Sequence, residues 1–211
     1  MKYILLFLCF LSGLLQVRSQ QRVIADCTIT YSIVVIDSSK DKAAIESLKK
    51  SSKTVYIKGN DSRTDLVSPS FTQSLLFNKG MGTAVILRSF GNNKFMTVLD
   101  NTKWVAENSK YDGMKISFES KEVKTILGYE CKKAVIQLKN GSNYSLFYAI
   151  GIVPSVKEFE YQFKDIPGFV FEFESLDAEG NKIMFLATKI NLSPVQDFRF
   201  DIPTTGYRIL N

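Results

Sequence analysis

The chain has 211 residues, 27 basic against 21 acidic side chains and no histidine, for a formal charge of +6. That length suffices for one well-cored domain, and the basic excess falls far short of a nucleic-acid-binding stripe. The missing histidines remove the commonest general base, the Ser–His and Cys–His nucleophile pairs and most zinc sites.

Residues 1–19 start with Lys2, continue through the apolar run YILLFLCFLSGLL and lead into QVRSQQ. A charged start, an apolar segment and small residues before a cut predict a secretory signal peptide. Val17 and Ser19 suit the positions three and one before cleavage, so the mature chain is expected to begin at Gln20. The run is shorter than the ~20 residues of a spanning helix. Cys9 follows Leu8 and Cys27 follows Asp26, neither of which suits lipid attachment after cleavage. The expectation is a soluble, exported, periplasmic protein with no transmembrane span. Its single domain would cover residues 20–211, which contain no dividing Pro-, Gly- or Ser-rich linker and no internal repeat. Loss of residues 1–19 leaves 25 basic and 21 acidic side chains, a charge of +4.

The mature chain is patterned with period two, the mark of half-buried strands. In residues 22–36, RVIADCTITYSIVVI, one face carries Cys27, Ile29, Tyr31, Ile33 and Val35. A short helix is expected next, in SSKDKAAIESLKK, with Ser38 as cap, Asp41 three residues on, and an apolar stripe of Ala44, Ile45 and Leu48. Lysines gather between Lys40 and Lys58, a pattern that fits a solvated helix and strand edge, with a basic face toward an anionic membrane as the other reading. Strands are then expected in KTVYIKG, TAVILRS, KFMTVLD, TKWVAE, KISFES, KAVIQLK and YSLFYAI. Asn92–Asn93, Asp100–Asn101 and Asn140–Gly141 suit the tight turns between strands. A second helical turn is expected at SPVQDF, with Ser193 capping and Pro194 first. This succession predicts a mainly β protein whose meandering antiparallel sheet curls into a barrel or half-barrel, with one or two short helices.

Two aromatic triplets stand out toward the C-terminus. Phe159, Tyr161 and Phe163 alternate with Glu160 and Gln162, and Phe169, Phe171 and Phe173 with Val170 and Glu172. Pro167–Gly168 between them is expected to reverse the chain. As strands, each triplet puts three rings on one face. Those rings form either a packed aromatic core or the wall of an apolar, ligand-binding cavity.

Catalytic motifs are missing. There is no Gly-rich phosphate loop or G-x-S-x-G elbow, and DNT and DAEGN lack the ligand count of a calcium loop. No enzyme activity, cofactor or metal is therefore expected. Two cysteines remain after cleavage. An even pair in an oxidising compartment favours a Cys27–Cys131 disulfide, with a chain-entropy contribution of ~4–5 kcal/mol for so long a loop. It requires the first strand to lie beside the strand at 130–138. Two buried inert thiols, or a reactive Cys131 activated by Lys132 and Lys133, are the other readings.

Four stretches carry a family resemblance. KTILGYECKKAVI resembles the K-T-I-x-G-Y-x-C-K-K-A segment of exported envelope proteins common in Bacteroidetes, grouped with GLPGLI-type proteins and related to the Lol-type lipoprotein carriers. VYIKGNDSR (55–63) is similar to their early strand. FKDIPGFVFEFES resembles their G-L-P-G segment, although it departs from it at Asp165 and Phe169, and FDIPTTGYRIL resembles their closing P-x-x-G-Y. Together these span most of residues 55–210. The resemblance implies a strongly curved antiparallel half-barrel with helices in its concavity and an apolar cavity, which in the carriers shields acyl chains.

The expected function is thus a non-catalytic periplasmic binding protein for a lipid, lipoprotein acyl chain or other hydrophobic molecule. Phe159, Tyr161, Phe163, Phe169, Phe171 and Phe173 would line or close the site, and the 41–50 helix would act as a lid. The alternative is a cell-envelope scaffold or accessory subunit with a fully packed core, acting through contacts with another envelope protein.

Overall fold

The computed structural model describes residues 21–35, 42–176 and 182–210. The expected signal segment, the cleavage point at Gln20 and the Ser38 cap lie outside these residues. The elements are β1 (Arg22–Ile24), β2 (Asp26–Val35), α1 (Lys42–Lys49), β3 (Ser52–Lys58), β4 (Asp61–Val67), β5 (Thr72–Asn78), β6 (Thr83–Phe90), β7 (Asn93–Leu99) and α2 (Asn101–Glu107). They continue with β8 (Lys115–Ile126), β9 (Tyr129–Gln137), β10 (Asn143–Ala149), β11 (Ile152–Pro154), β12 (Phe169–Leu176), β13 (Lys182–Asn191) and β14 (Arg208–Leu210). Twelve strands form one curved sheet, not closed into a barrel, in the order β14-β7-β6-β5-β4-β3-β2-β13-β12-β10-β9-β8. All its pairings are antiparallel except β14 with β7. A parallel β1–β11 pair lies apart from it. This is the expected mainly β, half-barrel architecture.

The period-two pattern explains why the sheet curls around its own core. On β2, Cys27, Ile29, Tyr31 and Ile33 are all buried while their neighbours are not. Val55 and Ile57 of β3 and Phe171 and Phe173 of β12 continue the same inner face into one cluster. Register shifts in β8, β10 and β13 add the local twist that bulges give a strand. Chain reversals fall at Gly91–Asn92 and Asn140–Gly141, where Gly91 and Gly141 take the positive φ that a side chain disfavours. Gly168 is required for a different reason: a Cβ there would lie 2.1 Å from the Ala149 carbonyl oxygen, so only glycine lets the chain enter β12 against β10.

Three expectations need correction. TKWVAE is helical, as α2, because Asp100 is an N-cap and not a hairpin residue. Its Oδ1 accepts from the Lys103 amide at 2.8 Å. Trp104 then enters the core and stacks on Phe77, with ring centroids 5.2 Å apart. The helical turn expected at Ser193–Pro194 starts later, at Asp197–Phe200. Before it, Asn191 and Asp26 accept from the Ser193 and Val195 amides and hold the chain extended.

The third correction concerns the first aromatic triplet. Residues 157–159 and 161–163 form two 3-10 turns, not a strand, joined by an extended Glu160. Both neighbours of β12 are already taken, by β10 and β13, so this segment has no ladder to join. It folds on itself, with Phe163 and Ile166 amides bonding to the Glu160 and Phe163 carbonyls at 2.9 Å each.

Candidate functional site

The segment 157–163 lies against the inner face of the sheet and determines what that face carries. Buried backbone groups outside a ladder must find partners elsewhere, and the inward positions of β3 and β4 supply them. On β3 the inward residues are Lys53, Val55 and Ile57; on β4 they include Ser62 and Thr64. Thr64 Oγ1 donates to the Phe159 carbonyl at 3.2 Å. Lys53, only 7 % exposed, pairs with Glu160. Its ammonium also sits 4.8 Å from the Phe185 ring centroid and 5.2 Å from that of Phe173. Lys53 is therefore an inward-facing lysine and not part of the solvated strand edge expected from the lysine-rich stretch.

Above this ion pair the structure leaves a cavity of about 540 Å³. Its deep wall is buried and half apolar, with Ile33, Ile183 and Phe185 beside Lys53, Thr64 and Ser51. The lining runs outward through Leu66, Leu75, Gln73 and Phe71 to exposed Ser70 and Leu176. Ser47 and Leu48 of α1 form part of the wall, and Leu48 packs against the core, so this helix borders the site. Lys53 and Glu160 are the charged residues of the lining. A second cavity of about 470 Å³ shares Ser175 and Leu176 with the first and is bounded by Tyr111, Tyr144 and Gln162. Burial raises the Tyr111 phenol above its ordinary value, and the Glu160 carboxylate adds to the rise.

The structure gathers the six rings expected at the site, but as packing around it. Phe159 lies 5.5 Å from Phe163 and 5.8 Å from Phe169, Phe163 lies 5.0 Å from Phe173, and Phe169 lies 5.4 Å from Phe171, as ring centroids. All five of these phenylalanines are at most 2 % exposed. Tyr161 is partly buried and meets Trp104 edge-on at 6.0 Å. None of the six lines either cavity. Phe173 reaches the site indirectly, by stacking on Phe185 at 4.9 Å and lying under the Lys53 ammonium. Sequence reasoning missed Lys53, Thr64 and Glu160. The usable signal was the alternation K-T-V-Y-I, which puts Lys53 on the same face as Val55 and Ile57.

The expected disulfide is corrected as well: Cys27 and Cys131 are free, buried thiols. β2 and β9, which carry them, are separated in the sheet by β13, β12 and β10, so the adjacency that a bridge needed does not exist. Burial pushes the Cys27 thiol up to about 12, with the Asp26 charge adding to it. Burial pushes Cys131 up to about 11, against smaller opposing effects of a backbone hydrogen bond at Ile126 and of Lys124. The Cys131 thiol donates to the Tyr129 carbonyl at 3.4 Å. Neither environment makes a thiolate.

Among the described residues, no cluster of three or more Cys, Asp or Glu side chains could hold a metal ion. None of their helices is long and apolar enough to cross a membrane.

The sequence matches no family profile and no curated protein. Among solved structures the chain is similar to an uncharacterized conserved protein from Thermus thermophilus, with a TM-score of 0.51 and 9 % identity over 89 % of this chain and 90 % of that one. This likeness is one of fold. MucB matches with a TM-score of 0.41 and 10 % identity over 93 % of this chain and 62 % of its own. The Pseudomonas aeruginosa MucA/MucB complex matches with a TM-score of 0.42 and 10 % identity over 84 % and 56 %. The chain thus spans about three fifths of the length of MucB.

Proposed function

We propose that this is an exported, periplasmic binding protein that holds a small apolar or amphipathic molecule in the cavity above Lys53 and catalyses no reaction on it. The observation that carries this reading is the cavity itself. At about 540 Å³ it falls within the roughly 300–1,000 Å³ of small-molecule sites, and its lining combines apolar walls with polar and charged groups, as suits an amphipathic molecule. The signal-type N-terminus and the resemblance to GLPGLI-type envelope proteins support export. Thiols held protonated by burial, and a chain without histidine, supply no nucleophile or general base of the common kinds. The aromatic cluster acts as a rigid floor that keeps Phe185 and Lys53 in place, not as the surface that the ligand touches.

The second reading, an envelope scaffold or accessory subunit, draws on the tight packing of those rings. Mass spectrometry separates the two, on protein purified from its own envelope without detergent, under native and then denaturing conditions. The binding reading expects an added mass that leaves on denaturation and extracts into organic solvent. A bare chain that also takes up no apolar probe would overturn it and favour the scaffold. In either case the chain mass is expected to be that of reduced Cys27 and Cys131.

A further inference from the structure

We propose that the molecule taken by this cavity is an uncharged acyl amide or ester whose carbonyl oxygen accepts a hydrogen bond from Lys53, and that Glu160 makes the cavity reject the corresponding free acid. The inference rests on the binding reading above and specifies the chemistry of its ligand.

Hydrogen-bond supply at Lys53 favours a ligand that carries an accepting oxygen. An ammonium has three N–H donors. Among the described residues the one acceptor that Lys53 meets is Glu160. The rings of Phe173 and Phe185 lie to one side of its nitrogen, and the cavity is also in contact with it. The Lys53 side chain is only 9 % exposed, so the water that reaches its remaining donors is that of the cavity, which a bound ligand displaces. A buried donor without a partner is costly, and a ligand oxygen relieves that cost. Gln73, Ser47, Ser70 and Ser175 of the lining are partly or fully exposed, and the hydroxyls deeper in it are already engaged. Ser51 and Ser68 already donate to the Ser47 and Phe71 carbonyls at 2.8 and 3.0 Å, and Thr64 donates to Phe159.

Charge then selects among oxygen-bearing heads. Lys53 and Glu160 are of opposite sign, so the lining is neutral as a whole. A carboxylate seeking Lys53 would sit beside the Glu160 carboxylate in a partly desolvated space, where like charges disfavour each other strongly. An ammonium ligand seeking Glu160 would meet Lys53 in the same way. An amide or ester carbonyl satisfies the spare donor with no charge penalty. Its acyl chain would lie along Ile33, Leu66, Leu75 and Ile183, where each buried methylene contributes to binding.

The test is competition against a fluorescent apolar probe on the purified full mature chain at pH 7.5, using decanamide and decanoate as matched competitors. Wild-type protein is expected to prefer decanamide by ~10-fold or more, equivalent to about 1.4 kcal/mol. Glu160→Gln, which keeps the side-chain shape but removes the repelling charge, is expected to reverse that order. Equal or better binding of decanoate by the wild type would overturn the proposal while leaving the cavity a binding site. So would a folded Glu160→Gln variant that still prefers the amide. If neither competitor nor probe binds the wild type, the binding reading itself fails. Should Glu160→Gln not fold, the wild-type ratio decides alone.

Discussion

Removing the ring of Phe173 tests whether the aromatic cluster is solid. Phe173 is 2 % exposed and lies 4.9 Å from Phe185, 5.0 Å from Phe163 and 5.6 Å from Tyr31, as ring centroids. Lys53 caps it at 5.2 Å. A buried Phe→Ala change costs about 3–5 kcal/mol, through lost transfer energy and an unfilled void. The upper half of that range is expected, since Phe185 and Tyr31 are fixed in β13 and β2 and cannot collapse into the space. For a chain of this size each kcal/mol is worth roughly 2–4 °C, so Phe173→Ala should lower the midpoint by about 8–20 °C. Trp104 provides the optical probe, being the chain's single tryptophan and buried. Urea unfolding followed by its fluorescence and by circular dichroism should give a lower midpoint with an unchanged slope. Tyr161→Ala, at a partly buried ring, should cost less. A loss below about 1 kcal/mol for Phe173→Ala, with greater uptake of an apolar probe, would show that the rings border a void and refute the reasoning.

Asp100→Ala should destabilise by about 0.5–2 kcal/mol, because the Lys103 amide loses its acceptor; denaturant unfolding checks it, and Asp100→Asn should recover most of the loss. The thiols give a pH dependence. Cys27 and Cys131 are raised from 9.0 to about 12 and about 11, so the fold favours their protonated forms. That contribution is fully present below pH 9 and is lost as pH rises through this window, so thermal midpoints should fall between pH 9 and 11. Ellman's reagent should likewise leave both thiols unmodified at pH 8 until the chain unfolds.

The strands were legible because half-buried strands write a period of two into the sequence, as in Cys27, Ile29, Tyr31 and Ile33. TKWVAE also alternates over a short span, but Asp100, which accepts from the Lys103 amide, caps it as a helix. The spacing of Phe159, Tyr161 and Phe163 mimics a strand, but whether a strand forms depends on a free edge, and edges depend on the order of the whole sheet. That order places β2 beside β13, more than a hundred residues away, and no local pattern records it. For the same reason the separation of Cys27 from Cys131 was not readable. The site was the least visible part. Lys53 stood in a core-facing register, but its role becomes apparent only when Glu160 and the Phe173 and Phe185 rings are brought to it from distant segments.

The most direct test of the cavity is methyl-detected NMR of the mature protein titrated with decanamide. The account expects saturable shifts at Ile33, Leu48, Leu66, Leu75 and Ile183, which line the cavity, and little change at Val55 and Ile57 in the closed core. No saturable shift at the five lining residues, or shifts centred on Val55 and Ile57, would contradict it.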